Sequence, residues 1–208
     1  MNAQDLVAFE KDIEETYKTG VIRGPIHLRN GNEEVLLGIF KAYYRDGDFV
    51  FSTWANHLHA LLAGIPTEKV KARILEGESM AMNFPSHRFY TSAIVGGIIP
   101  IAVGVANTLK GTSQRVICFI GDMAFRTGIA HESIMYAAAH GLPIVFVIED
   151  NGRSVGTPTQ EVWGSIKVES LISFYRQFSG KDANGFEIVY YKYDLNGPHS
   201  GVGEFVSF

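Results

Sequence analysis

Two short apolar runs in this chain end abruptly in polar groups. Ile117-Cys118-Phe119-Ile120 stops at Gly121-Asp122, and Leu142-Pro143-Ile144-Val145-Phe146-Val147-Ile148 stops at Glu149-Asp150-Asn151. Runs of this kind read as parallel strands buried on both faces. Between them, residues 128–140 carry Ile129, Ile134, Met135, Ala138 and Ala139 at helical spacing, which predicts a helix with those side chains inward. The unit is strand, helix, strand. A right-handed crossover brings Asp122 and Asn151 to the same edge of one sheet, the edge at which open α/β sheets bind ligands.

The remaining pattern extends that unit in both directions. Residues 5–19 place Leu6, Phe9, Ile13 and Tyr17 on one face, an amphipathic N-terminal helix. A loop with Pro25 and His27 follows, and then a helix over residues 32–45 with Val35, Leu36, Ile39, Phe40 and Tyr43 inward. Phe49-Val50-Phe51 is a short strand running into Ser52-Thr53-Trp54. Residues 67–78 form a charged surface helix with Val70 and Ile74 inward, and residues 83–90 an irregular loop with His87 and Arg88. Residues 92–109 read as a buried helix of small and apolar residues. Residues 152–159 are a turn-rich loop, residues 168–178 a helix with Leu171, Ile172 and Phe174 apolar, and Ile188–Tyr193 a β-prone run. The expected architecture is one doubly wound, mostly parallel α/β domain over residues 1–208.

Composition narrows the function classes. The chain has 208 residues, 46% of them hydrophobic, and a net charge of −4, a balance that favours neither nucleic acid nor an anionic membrane surface. Its one cysteine, Cys118, lies inside a predicted strand and has no partner for an internal disulfide. No apolar run is long enough to span a bilayer and no signal peptide is visible. The expected compartment is the cytoplasm. No Gly-x-Gly-x-x-Gly follows a strand and no P-loop pattern is present, which argues against a dinucleotide or P-loop enzyme.

The strand ends carry the chemistry. A carboxylate at Asp122, an amide oxygen at Asn151 and a main-chain carbonyl in the turn after Asn151 can share one hard cation. Mg²⁺ takes oxygen ligands of this kind and often binds together with substrate phosphates. A helix beginning near Gly128 would aim its positive end at such phosphates. Taken singly, Asp122 capping a helix and Asn151 opening a turn is the simpler reading of each. The pair at this spacing favours the shared cation.

This segment resembles the thiamine diphosphate motif of thiamine-dependent enzymes, which begins Gly-Asp-Gly and ends about thirty residues later in Asn-Asn. Here the two ends stand as Gly121-Asp122-Met123 and Asp150-Asn151. The likeness is closest to the alpha subunit of the first component of 2-oxo acid dehydrogenase complexes. That subunit also has counterparts of Gly128, Glu132, Ala137-Ala138, Leu142-Pro143 and Gly156-Thr157. The resemblance implies thiamine diphosphate and Mg²⁺ as cofactors. Gly121, Asp122, Met123 and Ala124 would face the cofactor, and Asp122, Asn151 and the main chain of Arg153 would hold the metal.

Other stretches carry the same likeness. Ile26–Glu33 is similar to the family's His-Leu-x-x-Gly-Gln-Glu segment, which makes His27 a candidate for the diphosphate, although a lone loop histidine is more often a solvated bystander. The family's Tyr-Arg-x-His falls on Trp54, Ala55, Asn56 and His57. His57 matches, whereas Trp54 and Ala55 depart, and losing the arginine removes a bidentate phosphate clamp. Arg126 and Arg153, which flank the two halves of the motif, are the nearest sequence candidates to replace it. His57 and His59 either line the substrate pocket, where a histidine moves protons or binds a carboxylate, or sit on the polar start of a helix. Ala93 and Val95 fall where the family's main chain meets the aminopyrimidine. His199-Ser200 matches the second half of a His-Gly-His-Ser that follows the family's last strand.

The implied activity is decarboxylation of a 2-oxo acid with acyl or aldehyde transfer. A split transketolase-like transfer of a two-carbon ketol unit and a degenerate noncatalytic scaffold are the alternatives. In the family the activating glutamate belongs to a separate pyrimidine-binding domain. The implied partner is therefore a beta-type subunit completing the active site, in a hetero-oligomer of two alpha-type and two beta-type chains.

Overall fold

The computed structural model describes residues 1–177 and 185–196. In chain order these residues form α1 (Ala3–Lys18), α2 (Glu33–Tyr43), β1 (Phe49–Ser52), α3 (His57–Leu62), α4 (Thr67–Leu75), β2 (Phe89–Thr91) and α5 (Ile98–Thr108). Then come β3 (Val116–Gly121), α6 (Asp122–Phe125), α7 (Gly128–Ala139), β4 (Ile144–Asp150), β5 (Arg153–Ser154), β6 (Thr157–Pro158), α8 (Thr159–Trp163), α9 (Val168–Arg176) and β7 (Glu187–Lys192). Their contacts cluster into two compact units. The first holds residues 1–44, 52–93 and 193–196, and the second holds Arg45–Phe51 and the described part of 94–192.

In the second unit β1, β3, β4 and β7 lie side by side in that order, all parallel. The register sets Val50 beside Ile117, Cys118 beside Phe146 and Ile148 beside Tyr190. Every residue of β4 and the first five of β3 are buried, which is why both read as continuous apolar runs rather than alternating ones. Helix α5 packs on β3 and α7, α7 on α9, and α6 against the ends of β3 and β4. This is the α/β class with a mostly parallel sheet that the pattern predicts.

Several local expectations differ from the structure. Val35, expected inward on α2, is exposed. The helix expected over 92–109 begins only at Ile98. Before it the chain turns, with Gly97 N donating to Ile94 O at 3.0 Å and Gly96 at φ 74°. Ile94 and Val95 are consequently exposed, not buried. Helix α7 is rolled relative to its apolar pattern: Ile129, Met135 and Ala139 are exposed, whereas Ala130, Ser133, Ile134, Ala137 and Ala138 are buried. The stretch after Asn151 is a hairpin, with Arg153 opposite Pro158 and Ser154 opposite Thr157, and α8 follows at once.

The first unit is helical around a small core. Asn2 caps α1: its side chain accepts from Asp5 N at 3.0 Å and its N–H donates to the Asp5 carboxylate at 2.7 Å. This reciprocal box starts the helix two residues earlier than the apolar pattern alone predicts. Leu6, Phe9 and Ile13 of α1, Leu36, Ile39 and Phe40 of α2, and Val70 and Ile74 of α4 are buried.

Candidate functional site

Strand β3 ends at Gly121, and Asp122 opens α6 directly behind it. The parallel register puts Gly121 opposite Glu149, so Asp122 and the Asp150-Asn151 pair leave neighbouring strands at the same edge. Asp122 is 1% exposed. Its Oδ2 accepts from the Thr159 hydroxyl at 2.5 Å, while its buried Oδ1 has no partner among the described residues. Burial pushes its carboxyl up to about 6, an effect added to by Asp150 and opposed by the Thr159 hydroxyl, its own main chain and Arg126. Asp150 is held at both oxygens, by Gly152 N at 3.0 Å and by the Tyr190 hydroxyl at 2.8 Å. Burial, followed by the Asp150 carboxylate, holds the Tyr190 phenol well above its ordinary range.

Asn151 is half-buried and its side-chain oxygen accepts from Arg153 N at 3.2 Å. Arg153 itself is exposed on the hairpin. A cavity of about 410 Å³ opens beside these groups, lined among others by Asp122, Asp150, Gly152, Arg126, Lys167 and Lys192. Gly121 and Met123 are half-buried and Ala124 is buried at the first turn of α6. Arg126 donates from Nη1 to Ile166 O at 2.5 Å, and its buried Nε has no partner among the described residues. The donor set suits a hard divalent cation. A buried carboxylate oxygen lacking a hydrogen bond is costly unless a cation or donor meets it, and the acidic pair is backed by three basic side chains around the same cavity.

The first unit holds His27, Trp54, His57, His59 and Ala93, and the second holds Val95. His57 opens α3 and is buried. Its Nε2 lies 2.8 Å from Ser79 Oγ, and its Nδ1 has no partner among the described residues. Burial first, and then the charges of His27, Arg29 and His59, lower its imidazole to about 3, so it is neutral at pH 7. His59 is fully buried, with Nδ1 2.7 Å from Ser52 Oγ and its ring stacked on Phe40. His27, expected in a solvated loop, is buried as well, with its ring 6.1 Å from Trp54. Ala93 and Val95 are exposed. His199 and Ser200 lie outside the described residues.

Two residues that sequence reasoning passed over emerge here. Arg29 is buried, and its guanidinium grips the carbonyl oxygen of Ala55 through Nε at 2.9 Å and Nη2 at 2.7 Å. A cation is thus held at the very residue where the phosphate-binding arginine was expected and is missing. Its position two residues after His27 was the available signal. Thr159 reaches Asp122 across 37 residues of chain, and no spacing rule announces that contact.

The model of the dehydrogenase E1 component family matches residues 1–171 of this chain. The chain is 34% identical over 166 residues to the alpha subunit of acetoin:2,6-dichlorophenolindophenol oxidoreductase from Bacillus subtilis, an alignment covering 74% of this chain and 50% of that one. Against the pyruvate dehydrogenase E1 component subunit alpha of Rickettsia conorii it is 34% identical over 161 residues, covering 72% and 49%. Among solved structures, a Mycobacterium smegmatis protein assigned as a thiamin diphosphate-dependent enzyme aligns with a TM-score of 0.50 at 20% identity, covering 76% of this chain and 30% of that one. This last likeness is one of fold. The chain spans about half the length of the curated relatives it matches.

Proposed function

Because the chain belongs to the dehydrogenase E1 component family, we propose that it acts as the alpha-type, diphosphate-binding subunit of a thiamine diphosphate- and Mg²⁺-dependent enzyme. The substrate is a 2-oxo acid, decarboxylated with acyl or aldehyde transfer. The observation that carries this reading is the buried, unpartnered Oδ1 of Asp122 beside the Asp150-Asn151 pair. Asp122 Oδ1, the Asn151 side-chain oxygen and the Arg153 carbonyl are the metal ligands in this reading, a hard-oxygen set suited to Mg²⁺. Thiamine diphosphate, when bound, supplies an electron sink for cleavage beside a carbonyl. Arg126, Lys167 and Lys192 offset the negative charge of a diphosphate.

His57 is proposed to act as a neutral imidazole, with His59 a second candidate. With its pKa near 3, His57 is no cationic clamp for a carboxylate. Its unpartnered Nδ1 instead serves as a hydrogen-bonding atom toward a neutral group. His199 remains a third candidate by resemblance. The proposed partner is a beta-type pyrimidine-domain subunit, in an assembly of two alpha-type and two beta-type chains. Ile94, Val95, Ile101 and Ile129 are exposed apolar side chains of the second unit, a feature that supports a protein partner. The proposed compartment is the cytoplasm, in keeping with the Cys118 thiol, which burial holds protonated and unreactive. Among the described residues no helix is long and apolar enough to cross a membrane.

Calorimetric titration with thiamine diphosphate and Mg²⁺ tests the reading. Binding is expected to require the metal, and Asp122→Ala to weaken it by about 100-fold, ~2.7 kcal/mol, without unfolding the chain. Asn151→Ala, which removes a neutral ligand, is expected to cost less. Unchanged affinity in Asp122→Ala would sink the metal assignment.

A further inference from the structure

The two oxygens of Asp122 have different surroundings. Oδ2 accepts from the Thr159 hydroxyl at 2.5 Å, and Oδ1 is buried without a partner among the described residues. Thr159 is itself buried and is fixed by its main chain, whose N–H donates to Gly152 O at 2.9 Å. That bond closes the loop that starts at Asn151. Within the loop, Gly152 sits at φ 72° and Val155 at φ 51°. A β-branched residue in the left-handed region is strained and persists only where its surroundings over-determine the conformation. Here the ladder of β5 with β6 and the Thr159–Gly152 bond supply that determination. The hairpin carries Arg153 on its outgoing strand and delivers Thr159 at its end.

We propose that Thr159 is a positioning residue for the metal site. Its hydroxyl donates to Oδ2 and fixes the rotation of the Asp122 carboxylate, so that Oδ1 is the oxygen presented to a divalent cation. The same bond ties the turn that bears Asn151 and the Arg153 carbonyl to the aspartate, so the ligands are held together before the cation arrives. Without the hydroxyl, the carboxylate is free to turn, Oδ2 is buried unsatisfied, and the hairpin loses a hydrogen bond to α6. This inference rests on the metal assignment made above and adds to it a residue that touches neither metal nor cofactor.

The test uses the full chain and compares Thr159→Val, which keeps the shape and loses the donor, with Thr159→Ser, which keeps the donor. Mg²⁺ is titrated at saturating thiamine diphosphate by calorimetry, and Mn²⁺ by electron paramagnetic resonance, with thermal unfolding of the unliganded chain recorded alongside. Thr159→Val is expected to weaken metal affinity by about 10–100-fold while the unliganded melting temperature moves little, and Thr159→Ser is expected to restore affinity to within about threefold of the unsubstituted chain. If Thr159→Val does not fold, Thr159→Ala, compared with Thr159→Ser in the same titration, replaces it. Unsubstituted affinity in the folded donor-less variant, together with loss in Asp122→Asn, overturns the role of Thr159 and leaves the metal site standing. Absence of metal binding in the unsubstituted chain overturns both.

Discussion

Glu10 lies on the buried face of α1, fully removed from water. Its oxygens accept from Arg29 N and Asn30 N, each at 3.0 Å. Burial nevertheless outweighs those donors and raises its carboxyl from 4.5 to about 7. A carboxyl raised on folding binds its proton more tightly in the folded state, so its contribution favours folding below about 4.5 and is lost as pH rises through about 7. At ~1.4 kcal/mol per pH unit, the loss amounts to about 3 kcal/mol. Denaturant unfolding from pH 4.5 to 8 is expected to show this decline, and Glu10→Gln to flatten it. Parallel curves for the two proteins would exclude Glu10 as the source. The sequence hid this residue because an acid in a helix rich in acids and lysines reads as solvated, although its spacing from Leu6 and Ile13 puts it on the apolar face. It disclosed Asp122 and Asn151 because each follows an apolar strand directly. Thr159 and Arg29 stayed hidden for a different reason: their contacts are made by folding, between segments far apart in the chain.

Among the elements, β3 and β4 were legible because unbroken burial on both faces leaves a continuous apolar signature. Helices α5 and α7 were legible as helices and misread at their limits and faces. The apolar run from Ala93 to Ile101 continues through the turn that Gly96 makes, so hydrophobicity alone extends the helix too far toward the N-terminus. In α7 the buried face runs through Ala130, Ser133, Ile134, Ala137 and Ala138, so only Ile134 and Ala138 of the expected stripe lie inward. These readings predict opposite outcomes for two glycines. A Cβ at Gly96, already at φ 74°, would meet Ile129 Cγ2 at 2.7 Å; Gly96→Ala is expected to cost about 1–3 kcal/mol. Gly104 lies inside α5 with nothing within 4 Å of an added Cβ; Gly104→Ala is expected to add about 0.5–1 kcal/mol of stability. Thermal melts of the two variants check both signs.

For the whole molecule, the class of fold was legible from the order of its strands and helices, and the family from motifs spread along the chain. The separation of its contacts into two units was not, because no change of composition marks the crossings at residues 44–45, 51–52 and 93–94. The proposed assembly makes its own prediction. Purified alone, the chain is expected to associate through exposed apolar surface and to show no turnover. Co-expression with a beta-type chain is expected to yield a complex of equal stoichiometry that decarboxylates a 2-oxo acid. Thiamine chemistry needs a site closed to water, and in the proposed assembly the second chain would supply that closure. Turnover by an isolated monomer would refute the split site.

The position of β7 in the sheet has a consequence for how this protein is made. Strand β4 pairs on one side with β3, which precedes it closely, and on the other with β7. Tyr190 of β7 follows its partner Asp150 by 40 residues, which is ~2–8 s of synthesis at ~5–20 residues per second. During that interval the newly made β4, apolar along nearly its whole length, presents an unpaired edge of main-chain donors and acceptors. Such an edge is a template for a neighbouring nascent chain. The arrival of β7 closes it, so the pace of translation between Asn151 and Glu187 governs how much of the protein escapes strand-edge aggregation.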